Sequence, residues 1–264
     1  MGARFEVCDV SPRRTMTSRT LSIVLTHQDA AAVDALVRWW LRYVNCDDLL
    51  IVHTGQVEEF GKIAHAHRLH VADPRVATRD HQRELQSYTS ILRAAAVEVA
   101  NGAWDYVSFS EYDHLPLSSD ADWARIALLH DTRADVLGYE LLRVDSTNQS
   151  HWLYSDLAGS GAAHLQSISQ RDDYSIVLSM FGSGSFWTRD AFLAVAERSE
   201  PFPVYLELWL PTVAHHLGFR VLDMGEQNRW VSAGRDRSDE IGEARKAGAW
   251  TLHPVKELSR IETS

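Results

Sequence analysis

The spacing of hydrophobic positions changes character along the chain. Leu21–Thr26 (LSIVLT) is a short, nearly continuous apolar run, the pattern of a strand covered on both faces. Val33, Leu36, Val37, Trp40, Leu41 and Val44 then recur at helical i, i+3, i+4 spacing, with Asp29 placed to cap that helix. Leu49–Thr54 predicts a second strand, residues Val57–His67 a short helix, and Leu69–Ala72 a third strand closed by Asp73-Pro74. Leu85, Tyr88, Leu92, Ala95 and Val99 line one face of a long helix, and Tyr106–Ser110 (YVSFS) reads as a fourth strand. Strand and helix alternating in this way imply a mostly parallel α/β sheet with helices on both faces.

The second half is less regular. Val136–Tyr139 and Gly184–Trp187 predict strands, separated by a polar stretch, Ser146–Arg171, expected to be a long functional loop. Thr188 can cap a helix through Phe192 and Val195. A later helix uses Leu206, Leu210, Val213, Ala214 and Leu217 and stops at Gly218, with Phe219–Asp223 as a strand beyond it. Pro211 must lie in the first turn of that helix or kink it. Residues 232–248 are charged and contain glycine, which predicts a flexible loop. No internal repeat is visible.

Composition narrows the classes. Lys and Arg number 26 against 36 Asp and Glu, a net charge of −10, the wrong sign for a protein that neutralises many nucleic-acid phosphates. An acidic surface is still compatible with a local cationic pocket. The two cysteines, Cys8 and Cys46, are too far apart for a metal knuckle and too few for a disulfide framework. The first residues lack the apolar stretch of a secretion signal, and no run reaches the ~18 apolar residues of a membrane span, so a cytoplasmic protein without an integral membrane segment is expected.

The chemistry concentrates after the fourth predicted strand, in Ser110-Glu111-Tyr112-Asp113-His114-Leu115-Pro116-Leu117. Ligands of open α/β sheets bind at the carboxyl ends of strands. Two carboxylates spaced i, i+2 there suit Mg2+ or Mn2+, which take oxygen ligands and bridge to substrate phosphates. The same residues also fit a polar turn in which Asp113 caps local amides. His253-Pro254-Val255-Lys256 offers a metal-ligating imidazole and a cation for diphosphate, or a surface turn. Glu207, at or before the first turn of the later helix, is either a base held off the core face or a solvated glutamate at a helix N-terminus.

In this order the segments resemble the GT-A-fold glycosyltransferases, over roughly Leu21 to Lys256. Glu111-Tyr112-Asp113 stands where those enzymes carry an Asp-x-Asp-type motif, with Glu in place of the first Asp. The following Leu-Pro-Leu is similar to a stretch in branching N-acetylglucosaminyl- and xylosyltransferase-like families. His253 resembles their C-terminal His, Phe181–Asp190 (FGSGSFWTRD) their glycine-containing segment beside donor sugar and acceptor, and the segment holding Glu207 their base-bearing one, without its adjacent acidic pair.

The resemblance implies a GT-A-like, Rossmann-type, mostly parallel sheet flanked by helices, with a less regular acceptor-binding half. It implies transfer of a sugar from a nucleoside-diphosphate donor to a glycan or small-molecule acceptor, metal-dependent and inverting. Metal would be held by Asp113, Glu111 and His253, nucleotide by Thr26, His27, Asp29, Asp73 and Lys256, and Glu207 would be the base, with Asp156 or Asp172 as substitutes. Residues 1–19 would be a flexible leader, 20–117 the nucleotide-binding half, 118–256 the acceptor-binding half of the same domain and 257–264 a tail. A noncatalytic nucleotide- or sugar-binding protein of the same fold is the main alternative. A nucleotidyltransferase would need a glycine-rich loop after the first strand, where the chain reads Thr26-His27-Gln28-Asp29, and no compact HExxH set marks a metal hydrolase.

Overall fold

In the computed structural model, which describes residues 18–73, 87–144, 162–173, 175–198 and 206–257, the first apolar run becomes β1 (Thr20–Thr26) in the interior of a sheet. The elements that follow are α1 (Ala30–Trp40), β2 (Leu49–His53), α2 (Val57–Phe60), β3 (Arg68–His70), α3 (Ser87–Asn101), β4 (Tyr106–Glu111), β5 (Leu115–Pro116), α4 (Ala121–Thr132), β6 (Val136–Gly138) and β7 (Leu142–Arg143). Then come α5 (Ala162–Ile168), β8 (Leu178–Ser179), β9 (Ser185–Thr188), α6 (Arg189–Glu197), α7 (Leu206–His216), β10 (Val221–Asp223), α8 (Ile241–Lys246) and β11 (Thr251–Leu252).

The main sheet has the order β10-β6-β9-β4-β1-β2-β3. All its pairings are parallel except those of β9, which runs antiparallel to both β4 and β6. This is the Rossmann-type, GT-A-like arrangement that the sequence led us to expect, with the strands of the second half joined to the same sheet. The continuous burial of β1 follows from cover on both faces. Leu21, Ile23 and Leu25 pack with Leu92 and Val99 of α3, Phe192 of α6 and Val213 of α7. Val24 turns the other way, onto Val33, Leu36, Val37 and Trp40 of α1. Each such side chain contributes about 1.5–3 kcal/mol on burial. Asp29 caps α1 as expected, its Oδ1 accepting the N–H of Ala32 at 2.9 Å.

Several expectations are corrected. The helix predicted over Val57–His67 stops at Phe60, because the chain is drawn out toward β3. The Ala64 N–H donates to Asp34 and the buried His65 ring bonds the Leu49 carbonyl. Residues 232–248 are not a loop throughout. A 3-10 turn at Ser238–Glu240 leads into α8, whose Ile241 and Ala244 are buried. Asp236 fixes its start by accepting from Ser238 Oγ at 2.7 Å and from the Lys256 N–H at 2.7 Å. Within Ser146–Arg171, residues 162–168 form α5. The Arg19 carbonyl accepts the N–H groups of Asp105 and Tyr106, and its guanidinium lies 2.7 Å from Asp48.

Pro211 sits inside α7 rather than in its first turn. A proline there cannot bond the carbonyl four residues back, which belongs to Glu207. The Met180 N–H takes that carbonyl instead, at 3.0 Å. Leu85, Trp152, Tyr154, Asp156 and residues 1–17 and 258–264 lie outside the described residues. Among the described residues no helix is long and apolar enough to cross a membrane.

Candidate functional site

From β1 the chain steps outward to β2 and β3, then returns through α3 to place β4 on the other side of β1. The strand order therefore reverses between β1 and β4, and at such a switch point the connections leave in opposite directions and open a crevice at the carboxyl ends. His27 and Gln28 follow β1 there, and Glu111 ends β4 with Tyr112 and Asp113 just beyond it. The rings of His27 and Tyr112 meet edge to face across it, 5.2 Å between centroids.

The chain after Asp113 explains how His253 reaches this place from 140 positions away. β5 pairs antiparallel with β11, the Leu117 N–H donates to the Trp250 carbonyl, and the Val255 N–H donates to the Asp113 carbonyl at 2.8 Å. His253 then lies with Nε2 3.2 Å from Asp113 Oδ1. Its Nδ1 faces the Ser232 carbonyl at 2.9 Å. A carbonyl only accepts, so Nδ1 donates to Ser232, and Nε2 faces the Asp113 carboxylate, an acceptor, so that a proton or a cation must stand between them.

One ligand atom each from Glu111, Asp113 and His253 lies within 4.8 Å of the others. Two carboxylate oxygens and an imidazole nitrogen, oriented from behind by a carbonyl, form a donor set that fits Mn2+ or Mg2+. The charge balance fits as well. Burial first, then the carboxylates of Asp113 and Glu207, push Glu111 up to about 7, with His253 opposing them. A divalent cation supplies the positive charge that this cluster is short of.

Glu207 opens α7, and the Gly182 N–H donates to its Oε1 at 3.3 Å. A Cβ at Gly182 would stand 2.8 Å from Leu206 Cδ1 and 3.1 Å from Glu207 Cγ, so a larger residue would have to displace both side chains. Next along, Ser183 accepts the Glu111 N–H at 2.8 Å, and Gly184, at φ +85°, makes room for the His114 ring. Three consecutive residues thus touch Glu207, the backbone of Glu111 and His114. Glu207 also pushes up Glu140, where burial is the larger cause; Glu140 lies two residues beyond β6 with a positive φ of 51°.

The other expected residues take separate places. Thr26 is buried and its hydroxyl accepts the Gln28 N–H, while His27 and Asp29 are exposed at the same edge. Asp73 follows β3 and accepts from Ser90 Oγ at 2.7 Å. Lys256 is exposed, its Nζ 3.2 Å from the Gly234 carbonyl, next to the Val255 that binds Asp113. Asp172 is exposed beyond α5. Trp187 and Trp209 are core residues. Sequence reasoning missed Ser183 and the Ser232 carbonyl, for which only the glycine-containing segment around Ser183 gave any signal.

No family model and no curated protein sequence matches the chain. Among solved structures it is similar to core-mannan synthase A from Aspergillus fumigatus in its Mn/GDP form, at 11% identity and TM-score 0.44, covering 83% of this chain and 75% of that one. It is similar to the mannosyltransferase PcManGT from Pyrobaculum calidifontis, in complex with GDP-Man and Mn2+, at 16% identity and TM-score 0.46, covering 91% and 64%. It is also similar to the bifunctional IspDF from Campylobacter jejuni, at 9% identity and TM-score 0.43, covering 86% and 54%. The chain spans less than two thirds of the length of the last two. At TM-scores below 0.5 these likenesses add nothing to the geometry above.

Proposed function

We propose that this chain is a glycosyltransferase that moves a sugar from a nucleoside-diphosphate donor to an acceptor hydroxyl. The observation that carries the reading is the convergence of Glu111, Asp113 and His253 at the switch point of the sheet, with Glu207 close enough to raise the Glu111 pKa. The donor nucleotide lies over the carboxyl ends of β1 to β3, where His27, Asp29 and Asp73 face base and ribose beside the buried Thr26. Residues 20–117 form the nucleotide-binding half and 118–256 the acceptor-binding half.

Glu111, Asp113 and Nε2 of His253 would hold Mn2+ or Mg2+. A cation held there would supply positive charge to the diphosphate leaving group. Lys256, exposed, adds a further positive charge to that group. Glu207, turned by the Gly182 N–H, accepts the proton of the acceptor hydroxyl as its oxygen attacks the anomeric carbon. A bond forms from that oxygen to the carbon, the bond to the diphosphate breaks on the opposite face, and the configuration inverts.

A thermal-shift panel of UDP-, GDP- and dTDP-sugars, with Mn2+ and with chelator, tests this. One donor class is expected to raise the melting temperature in Mn2+ and to be consumed when acceptors are added. Stabilisation by none of them, under either condition, contradicts the proposal. Binding without consumption across the acceptor panel selects a noncatalytic binding protein.

A further inference from the structure

The strand that delivers His253 also carries Thr251, two residues earlier and so on the same side of the strand. Thr251 is buried, and its Oγ1 lies 2.7 Å from the Tyr139 hydroxyl and 2.8 Å from Nε2 of His114. Arg125, also buried, brings Nη2 within 3.4 Å of the same Tyr139 oxygen. A guanidinium can only donate, so Tyr139 accepts from Arg125. The Tyr139 hydroxyl, the Thr251 hydroxyl and the His114 ring continue from there as one hydrogen-bonded run.

The run ends against a metal-ligand candidate. The His114 ring lies 5.4 Å from the His253 ring, tilted by 35°. Phe181 meets His253 edge-on at 4.8 Å. The His253 ring is therefore packed against two neighbouring rings, and its Nδ1 is held by Ser232. Apolar side chains would fill the Tyr139–Thr251–His114 space at a lower desolvation cost. A hydrogen bond adds direction, which a methyl contact lacks, and so fixes the rotation of each ring in turn.

We propose that Thr251, together with Tyr139 and His114, is a positioning device for His253. It holds the His114 ring at one angle, and His114 in turn keeps the Nε2 of His253 aimed at Asp113 and Glu111. The inference rests on the metal reading of those three residues and names the residues that orient them.

The test is calorimetric titration of Mn2+ alone into the full chain, with the melting temperature of each variant recorded separately. Thr251→Val keeps the shape and removes the hydroxyl, and is expected to weaken Mn2+ binding measurably, by less than the ~10–100-fold typical of losing a group hydrogen-bonded directly to a ligand. Thr251→Ser restores the hydroxyl and is expected to restore the affinity. A folded Thr251→Val protein that binds Mn2+ as the unaltered chain does overturns the proposal, however much its melting temperature has fallen. If Thr251→Val does not fold, Tyr139→Phe decides, since it removes only the hydroxyl that orders Thr251. Weakened Mn2+ binding in that folded variant supports the device and unchanged binding overturns it. Asp113→Ala separates the two claims: if it binds Mn2+ like the unaltered chain, or neither binds, the metal reading itself has failed.

Discussion

A carboxylate acts as a base only where something turns it toward the proton it must take, and Glu207 owes its direction to the Gly182 N–H at its Oε1. Its carbonyl is held as well, by Met180, because Pro211 leaves it without a helix partner. Glu207→Gln keeps the shape and that hydrogen bond while removing basicity. Turnover is expected to fall by ~10²–10⁴-fold with donor affinity little changed, measured as kcat beside donor Kd. Near-normal turnover would remove Glu207 from the chemistry. At this scale the sequence told part of the story. Glu111 and Asp113 were legible because a strand end followed by acidic residues is a local pattern. The partners of His114 and Thr251 were not, because their hydrogen bond joins residues 137 positions apart.

At the scale of elements, the segment between β8 and β9 ties the site together. Gly184 is the residue there with least freedom to change. Its φ is +85°, and a Cβ would fall 2.1 Å from the His114 ring. Gly184→Ala is expected to destabilise the fold by about 2–4 kcal/mol, combining overpacking with a strained backbone, as read from urea unfolding midpoints. A midpoint equal to that of the unaltered chain would mean that His114 moves aside freely. The long, two-sided apolar runs and the helical stripes of α1, α3 and α7 were readable because burial imposes a period. The reversed direction of β9 was not, since a strand's side-chain pattern is the same in either direction. Nor was α8, six residues long, or the pairing of β5 with β11, two residues on each side.

For the molecule as a whole, the sheet order puts the acidic cluster at the switch point, and histidines buried elsewhere carry a pH dependence of their own. Burial is the largest cause lowering His53, His65, His215 and His216, and His215 falls from 6.5 to about 4. Arg171, His216 and Arg143 add to the shift of His215 and Asp173 opposes it. Between those two values the unfolded chain holds a proton on His215 that the folded chain does not, so stability rises with pH across that window and is lost as pH falls. His215 contributes a fall in melting temperature as pH drops through this window, opposite in sign to the contribution of Glu111, and His215→Gln is expected to remove that part of the slope; an unchanged slope would contradict it. The central claim is a metal-linked nucleotide-sugar site built from Glu111, Asp113 and His253. Its most direct test is calorimetry of the stabilising donor against the unaltered chain and Asp113→Ala, each in Mn2+ and in chelator. Mn2+ is expected to tighten donor binding to the unaltered chain and to have no effect on Asp113→Ala; equal donor affinity in Mn2+ and chelator for the unaltered chain would contradict the metal-linked site.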